Sequence, residues 1–285
     1  MRALSTMLVL ALLVVPAAAD WSDGDYWKWL QPPDLTPDGI DVNATYPKVL
    51  ADDFECTERM LITDAHIWAS WKYREGDQGQ QLVDKPAAED LRFHLSFHPD
   101  VPKTTETPWS MPGPPEWVEQ ASYWDGTGPQ PAVYFTERVF STVPGEGWYD
   151  PNTGEYIEED HDLVWQYNFY IDPAVAWEQQ GDSANPIIYW LNVSCEVPEP
   201  LIGEPPFMFG WKTADPGARW NDDAVVGHFD AAGQLLGDWV DLHYPDGHPL
   251  EGETLDLAFV ITPEPCTWAV MTLGAAFVLG RRRRR

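Results

Sequence analysis

The 285-residue chain has few basic residues, few cysteines and no long apolar run. It contains 17 Lys and Arg against 46 Asp and Glu, and six of the 17 are Arg2 and Arg281–Arg285. So acidic a surface repels nucleic acid and anionic lipid, which excludes a nucleic-acid partner. It suits an extracellular protein able to hold divalent cations. With 44% hydrophobic residues and 16 Trp, the composition indicates a packed core and not disorder.

Only three cysteines are present, Cys56, Cys195 and Cys266, and none lies in a Cys-x-x-Cys pair. This spacing argues against zinc and redox sites. In an oxidising compartment Cys56 and Cys195 would pair, closing a long loop worth about 4 kcal/mol of chain entropy. Two separate buried thiols are the alternative.

The first apolar run is typical of a secretory signal peptide. Arg2 precedes nine apolar residues, Met7–Val15, and the small residues Ala17–Ala19 follow. Nine residues are too few to span a bilayer. We therefore expect residues 1–19 to be a signal peptide and the exported chain to start near Asp20.

The second apolar run, Thr267–Gly280, lies between an acidic body and an abrupt basic end. Counted from Cys266, a helix of fifteen residues would reach about 22 Å, short of a comfortable span, and basic side chains would hold its end on the cytoplasmic side. A packed core helix with a basic tail is the alternative. It does not explain why five arginines stand together at the end of a strongly acidic chain. The basic residues that would retain this end of the chain on the cytoplasmic side of the membrane are Arg281, Arg282, Arg283, Arg284 and Arg285.

Residues 263–285 resemble the PEP-CTERM sorting signal. Pro263, Glu264 and Pro265 stand where that signal has its recognition residues, followed by the apolar segment and the arginines. The resemblance implies that an exosortase-type membrane protease processes the tail. It also implies brief anchoring at the inner membrane, then release to the envelope, outer surface or extracellular matrix, often beside exopolysaccharide.

Between the ends, strict alternation of apolar and polar residues predicts strands. It holds throughout Leu91–His98, and apolar residues also take every second position in Leu163–Ile171 and Leu255–Ile261. We expect an all-β, antiparallel two-sheet sandwich of jelly-roll type over residues 46–262, after an irregular N-terminal arm at 20–45. The predicted loops include Pro144–Gly154, and Asp172–Gly181 has the cap, proline and glycine of one short helix.

A second, weaker resemblance covers this middle region. Ala51–Phe54 (ADDF), Ile62–Trp71 (ITDAHIWASW), Trp211–Thr213 and Trp220–Asp223 are similar to secreted β-sandwich domains of unknown function. The resemblance supports the predicted fold and implies no reaction.

Two groups of residues are candidates for binding. Asp52, Asp53, Asp222 and Asp223 form carboxylate pairs that could coordinate calcium, although solvated loop acids are the simpler interpretation. Trp109 and Trp148 fall in predicted loops, where flat rings could stack on sugars. Paired carboxylates could also serve a glycan-active enzyme, but no nucleophile elbow, zinc-protease or phosphate-loop pattern occurs.

These observations leave three hypotheses. The first is a non-enzymatic envelope or matrix protein whose sorting tail is processed. The second is a carbohydrate-binding module for polysaccharide, assisted by calcium. The third is a glycan-active enzyme, which requires two carboxylates converging in a cleft.

Overall fold

The computed structural model describes residues 21–22, 24–74, 85–230 and 235–262, which all belong to one compact unit. Within these ranges the chain forms strands and two short 3₁₀ turns, Ala88–Asp90 and Pro216–Ala218. The described strands are β1 (Trp29–Gln31), β2 (Ile40–Asn43), β3 (Lys48–Cys56), β4 (Met60–Ile62), β5 (Asp64–Trp71), β6 (Arg92–Val101), β7 (Met111–Pro112), β8 (Trp117–Tyr123), β9 (Val133–Asp150), β10 (Glu155–Ile171), β11 (Trp177–Gln179), β12 (Ile187–Glu196), β13 (Phe209–Lys212), β14 (Val225–His228), β15 (Val240–Asp241) and β16 (Phe259–Thr262).

The predicted all-β class is confirmed, and most of the strands join one large sheet. Its main path runs β1-β16-β5-β13-β2-β9-β8-β6-β12-β3-β14-β15, with β10 pairing both β5 and β9, and β7 pairing β6. Among the described residues, β4 and β11 form a separate two-stranded sheet. Hydrogen bonding therefore connects far more of the chain into one sheet than the two-sheet prediction expects.

The core forms because strands of this sheet turn alternate side chains towards one another. One large buried cluster draws residues from β3, β6 and β12 and also from β5, β10 and β16. Its members include Leu50, Phe54, Phe93, Phe97, Leu191, Ile67, Tyr167, Phe169, Phe259 and Ile261. On the opposite face of β3, Val49 and Ala51 pack with Trp190, Val225 and Trp239 in a smaller outer cluster.

The short helix predicted at Asp172–Gly181 is wrong. The cap works as expected, because the side chain of Asp172 accepts a hydrogen bond from the Ala174 amide at 2.8 Å. The turn nevertheless stops there, and Trp177 enters β11 opposite Ile62. The ring of Trp177 stacks on Phe97 at 5.2 Å, so tertiary packing outweighs the local helix signal.

Two other segments are more regular than predicted. The proposed arm at 20–45 contains β1 and β2, which pair with β16 and with β9 and β13, and Ile40 and Val42 are fully buried. The proposed loop at Pro144–Gly154 is mostly strand, because β9 continues to Asp150. Register shifts between β9 and β10 absorb Pro144 and Gly145 without ending the hairpin.

The Cys56–Cys195 disulfide is also wrong, because both residues are free, buried thiols. The β3–β12 register pairs Cys56 with Ile187, eight residues from Cys195 along the strand. Eight extended residues span about 26 Å, whereas a disulfide requires Cα atoms within about 7 Å.

The predicted signal peptide at 1–19 and the tail at 263–285, with its hydrophobic helix, lie outside the described residues. Within the part that the structure describes, there is no helix of the length and apolarity needed to cross a bilayer.

Candidate functional site

Seven aspartates from separate segments lie in one neighbourhood, where burial and the charges of other members raise the pKa values of six of them, and we name the seven the aspartate cluster. β3 supplies two, β6 and β15 one each, the loop before β14 two, and the segment before β16 one. The members are Asp52, Asp53, Asp100, Asp222, Asp223, Asp241 and Asp256.

The inner part of the cluster is a buried pair, Asp52 and Asp256. The Gln31 side-chain amide donates to Asp52 at 3.1 Å and lies 3.5 Å from Asp256. The backbone amide of Leu257 also donates to Asp52, and that of Trp220 donates to Asp256 at 2.8 Å. Neutral donors therefore hold this pair, and none of them cancels its charge.

The outer part surrounds Asp53, whose side chain lies on the opposite face of β3. Asn221 donates to one carboxylate oxygen of Asp53, and the other oxygen is buried without a hydrogen-bond partner. Asp100 accepts from the indole N–H of Trp190 at 2.9 Å. Asp222 pairs with Lys103 at 3.0 Å. Because Lys103 is largely exposed, solvent screens this ion pair.

The rim of the cluster consists of Asp223, Asp241 and His243. One ligand atom from each lies within 4.8 Å of the others. The imidazole nitrogens of His243 lie 3.7 Å from Asp223 and 3.5 Å from Asp241. This group is partly exposed, so an ion could reach it from solvent.

Burial and mutual repulsion both disfavour ionised carboxylates here. Burial, followed by the charges of Asp256, Asp100 and Asp222, raises the pKa of Asp53 to about 8, even though Asn221 opposes the shift. Burial raises the pKa of Asp256 to about 7, and Asp223 adds to it. Without a bound cation, part of the cluster is therefore protonated near neutral pH.

Asp223 shows the same effect more weakly. Burial and then Asp241 raise its pKa to about 6. Burial, followed by Asp256 and Asp53, also raises the pKa of Asp52. Among the described members, Asp223 and Asp241 bring carboxylate oxygens within 4.8 Å of each other and of His243. Carboxylates that lack matching positive charge can coordinate a divalent cation, and oxygen donors favour calcium or magnesium.

The structure brings together the four aspartates that the sequence singled out. Asp100, Asp241 and Asp256 were missed, because each is a single acid among 46 in the chain. Only strand register places them beside Asp53 and Asp222. Asp256 did carry a signal, since it is a charged residue inside the alternating Leu255–Ile261 segment.

The sugar platform is not formed as predicted. Trp148 is fully buried in β9 and cannot stack on a ligand, so this prediction is wrong. Trp109 is half-buried and packs against the outer cluster on β3, which leaves only part of its ring accessible.

A second charged site, which the sequence did not suggest, lies deep in the protein. We name it the Lys212 centre, and Asp41, Glu146, His161 and Lys212 are its members, all buried. The Lys212 Nζ atom lies 2.5 Å from Glu146 Oε1 and 3.6 Å from Asp41 Oδ2. His161 Nε2 lies 2.9 Å from the same Asp41 oxygen.

Charge balance distinguishes this centre from the aspartate cluster. Burial lowers the pKa of His161, but hydrogen bonds to Asp160 and Asp41 outweigh it and raise the value to about 9. Burial raises the pKa of Glu146 to about 7, although Lys212 opposes the shift. The side-chain ammonium already occupies the position between the carboxylates, so a metal ion would have to displace it.

Comparison with known proteins gives one match. A family described as Domain of unknown function (DUF7901) matches residues 27–262. No curated protein and no solved structure matches the chain.

Proposed function

The chain belongs to the DUF7901 family, and we propose that it is a non-enzymatic, exported protein of the cell envelope or extracellular matrix whose aspartate cluster binds calcium. The observation that carries the calcium assignment is the meeting of seven aspartates from five segments at one place. Among the described residues, Lys103 pairs with Asp222, and the charge of Arg219 opposes the raised pKa of Asp223 and Asp256, so the basic residues near the cluster are fewer than its seven acids. A divalent cation would supply the missing charge and join segments distant in sequence.

The terminal sequences support export and sorting. The run at Met7–Val15 with Ala17–Ala19 fits a signal peptide, and the Pro263–Pro265 motif, apolar segment and arginines fit a sorting tail. In this proposal an exosortase-type protease is the processing partner, and the apolar segment anchors the chain at the inner membrane until cleavage. Calcium available outside the cell would then bind the exported domain.

A two-sheet, jelly-roll-like sandwich is the finer description that we propose for the fold. The main core supports it, because β3, β6 and β12 contribute one set of buried residues and β5, β10 and β16 contribute another. Strands shared by both halves, such as the long β9, would connect the two layers edge to edge.

Calorimetric titration of the full chain with calcium tests the binding proposal. We expect saturable binding, reduced at least tenfold in affinity by Asp222→Asn with Asp223→Asn, because neutral amides replace two charged ligands. Glu158→Gln with Glu159→Gln is the matched control, since it removes two adjacent exposed acids elsewhere. Equal affinities for both double variants, or no binding to the wild type, would reject the calcium site.

The sorting proposal has a separate test in the native host. Replacing Arg281–Arg285 with serine removes the charge that holds the tail in the membrane. We expect the ratio of precursor to processed protein to change on a blot. An unchanged ratio would argue against a retained, protease-processed tail.

Carbohydrate binding is a second candidate, favoured by one observation. Tyr26 and Trp27 are adjacent aromatic residues with 57% and 47% of their surfaces exposed. They offer the accessible rings that Trp148 does not. Polysaccharide binding that is lost in Trp27→Ala and retained in Leu201→Ala, an exposed non-aromatic control, would support this role. Equal binding by both variants would oppose it.

A further inference from the structure

The Lys212 centre contains an amine and a carboxyl group that lie side by side in the protein interior. β13 and β2 pair in a register that sets Lys212 directly opposite Asp41. Both side chains are fully buried, as are Glu146 of β9 and His161 of β10. The four residues come from four strands, so folding itself assembles the group.

We propose that Lys212 and Asp41 become joined by an intramolecular isopeptide bond after folding. The lysine Nζ atom attacks the side-chain carbonyl carbon of Asp41. Glu146 accepts and returns the proton, and His161 holds the departing oxygen. The product is an amide cross-link between β13 and β2.

The positions of the four groups match these roles. Glu146 makes the closest contact to the amine, at 2.5 Å, where a base must be. His161 Nε2 lies 2.9 Å from Asp41 Oδ2, where it can donate to that oxygen as it leaves. Lys212 Nζ lies 3.6 Å from the same oxygen, so the reacting groups are neighbours before any reaction.

The condensation needs no external reagent. Lys212 begins as an ammonium with three protons on nitrogen, and Asp41 begins as a carboxylate. The new C–N bond forms and one C–O bond of Asp41 breaks. One proton stays on the amide nitrogen, and two leave with the oxygen as water. Glu146 and His161 end in the protonation states in which they started.

Burial makes this reaction more favourable than it would be in water. A dry site removes the water that would compete with amide formation and hydrolyse the product. It also removes two charges that are costly to bury, because ammonium and carboxylate become a neutral amide. The pKa of Glu146, raised by burial to about 7 despite Lys212, suits a group that must both take and give a proton.

Asp41, and not Glu146, is the expected acceptor. The strand register pairs it with Lys212, and His161 contacts its departing oxygen at 2.9 Å. The His161 Nε2 atom lies farther from Glu146, at 3.8 Å. A Lys212–Glu146 cross-link would leave the histidine without its proposed role.

Mass spectrometry of the denatured full chain tests the proposal directly. We expect the wild-type protein to be lighter than its sequence mass by one water molecule, after its termini are identified from their own peptides. Proteolysis should then release a branched peptide that joins the segments around residues 41 and 212. A full sequence mass with two separate peptides would overturn the proposal, and so would a branch at Glu146.

Two variants assign the roles. Lys212→Met keeps the length of the side chain without a nucleophile and should restore the full mass. Glu146→Gln keeps the shape without the base and should slow or abolish the loss of water. Lys103→Met is the matched control, because Lys103 pairs with Asp222 on the surface, and it should keep the wild-type loss. The wild-type mass decides the proposal even where a variant fails to fold.

Discussion

At the scale of single residues, two lysines show how burial changes the contribution of an ion pair to the free energy of unfolding. Lys212 is fully buried between Glu146 and Asp41, whereas the side chain of Lys103 is 60% exposed beside Asp222. Breaking a buried ion pair leaves one charge uncompensated in the protein interior. When an exposed pair is broken, water solvates the remaining charge, so little stability is lost.

Lys212→Met leaves Asp41 and Glu146 buried without the ammonium, and without the cross-link proposed to form from it. We therefore expect it to lower the free energy of unfolding by about 3–5 kcal/mol. Lys103→Met should lower it by no more than about 1 kcal/mol. Urea unfolding followed by tryptophan fluorescence measures both values. Similar losses in the two variants would contradict a structural role for the buried Lys212.

The aspartates predict an unusual dependence of stability on pH. An acid whose pKa is raised on folding binds its proton more tightly in the folded state, so stability falls as pH rises from the unfolded value to the folded one. For Asp53 this window runs from about 4 to about 8, and for Asp256 from about 4 to about 7. His66 has the opposite effect on stability, because burial lowers its pKa to about 4. Its contribution to the unfolding free energy rises with pH up to about 6.5 and stays constant above that value.

In a chelating buffer we expect the unfolding free energy to fall between pH 6.5 and pH 8.5. Asp53→Asn should make this fall shallower, because the amide has no proton to lose. His161, with its pKa near 9, adds a fall in the same direction that the variant retains. A wild-type curve that rises over this range, or a slope unchanged by Asp53→Asn, would refute the raised pKa of Asp53.

At the scale of elements, the approach of β13 to its neighbours depends on a glycine. A Cβ atom on Gly210 would lie 2.6 Å from the ring of Trp148 and 2.8 Å from the Cβ of Asp41. We expect Gly210→Ala to cost about 1–3 kcal/mol, because the buried ring and strand must shift. In Gly217→Ala the nearest atom lies 3.2 Å away at an exposed turn, so this control should change stability little. Thermal unfolding compares the two, and equal midpoints would contradict the close packing.

The local sequence predicts an element correctly where the spacing of its apolar residues matches the face that is buried in the folded protein. β6 and β10 carry apolar residues at every second position over Phe93–Phe97 and Leu163–Ile171, and both are strands because one face of each packs in the core. The Asp172–Gly181 segment fails as a helix because its cap also suits a single turn, and Trp177 gains more by stacking on Phe97. The local sequence pattern contains no information about the contact between Trp177 and Phe97, which are far apart in the chain.

The candidate sites follow the same rule. Adjacent acids such as Asp222 and Asp223 are visible in the sequence, so four of the seven members of the aspartate cluster could be predicted. The Lys212 centre could not, because a lysine within a predicted strand is normally expected to face solvent. Its burial depends on partners in β2, β9 and β10, which only the folded register supplies.

At the scale of the whole molecule, the acidic composition, the terminal segments that resemble export and sorting signals, and the aspartate cluster are consistent with the proposed function. A protein that meets calcium outside the cell can carry many acids, because bound cations relieve their repulsion. On the proposal of export, the same cluster would weaken the fold before export, where free calcium is scarce. The domain should therefore be more stable outside the cell than in the cytoplasm.

The most direct test is the unfolding free energy of the full chain at pH 8, measured in calcium and again in excess chelator. A ligand that binds only the folded state, present at 100 times its dissociation constant, stabilises by about 2.7 kcal/mol. The account predicts a gain of that size, largely lost in the Asp222→Asn, Asp223→Asn variant and kept in the Glu158→Gln, Glu159→Gln control. Superimposable curves for the wild type in the two buffers would contradict it.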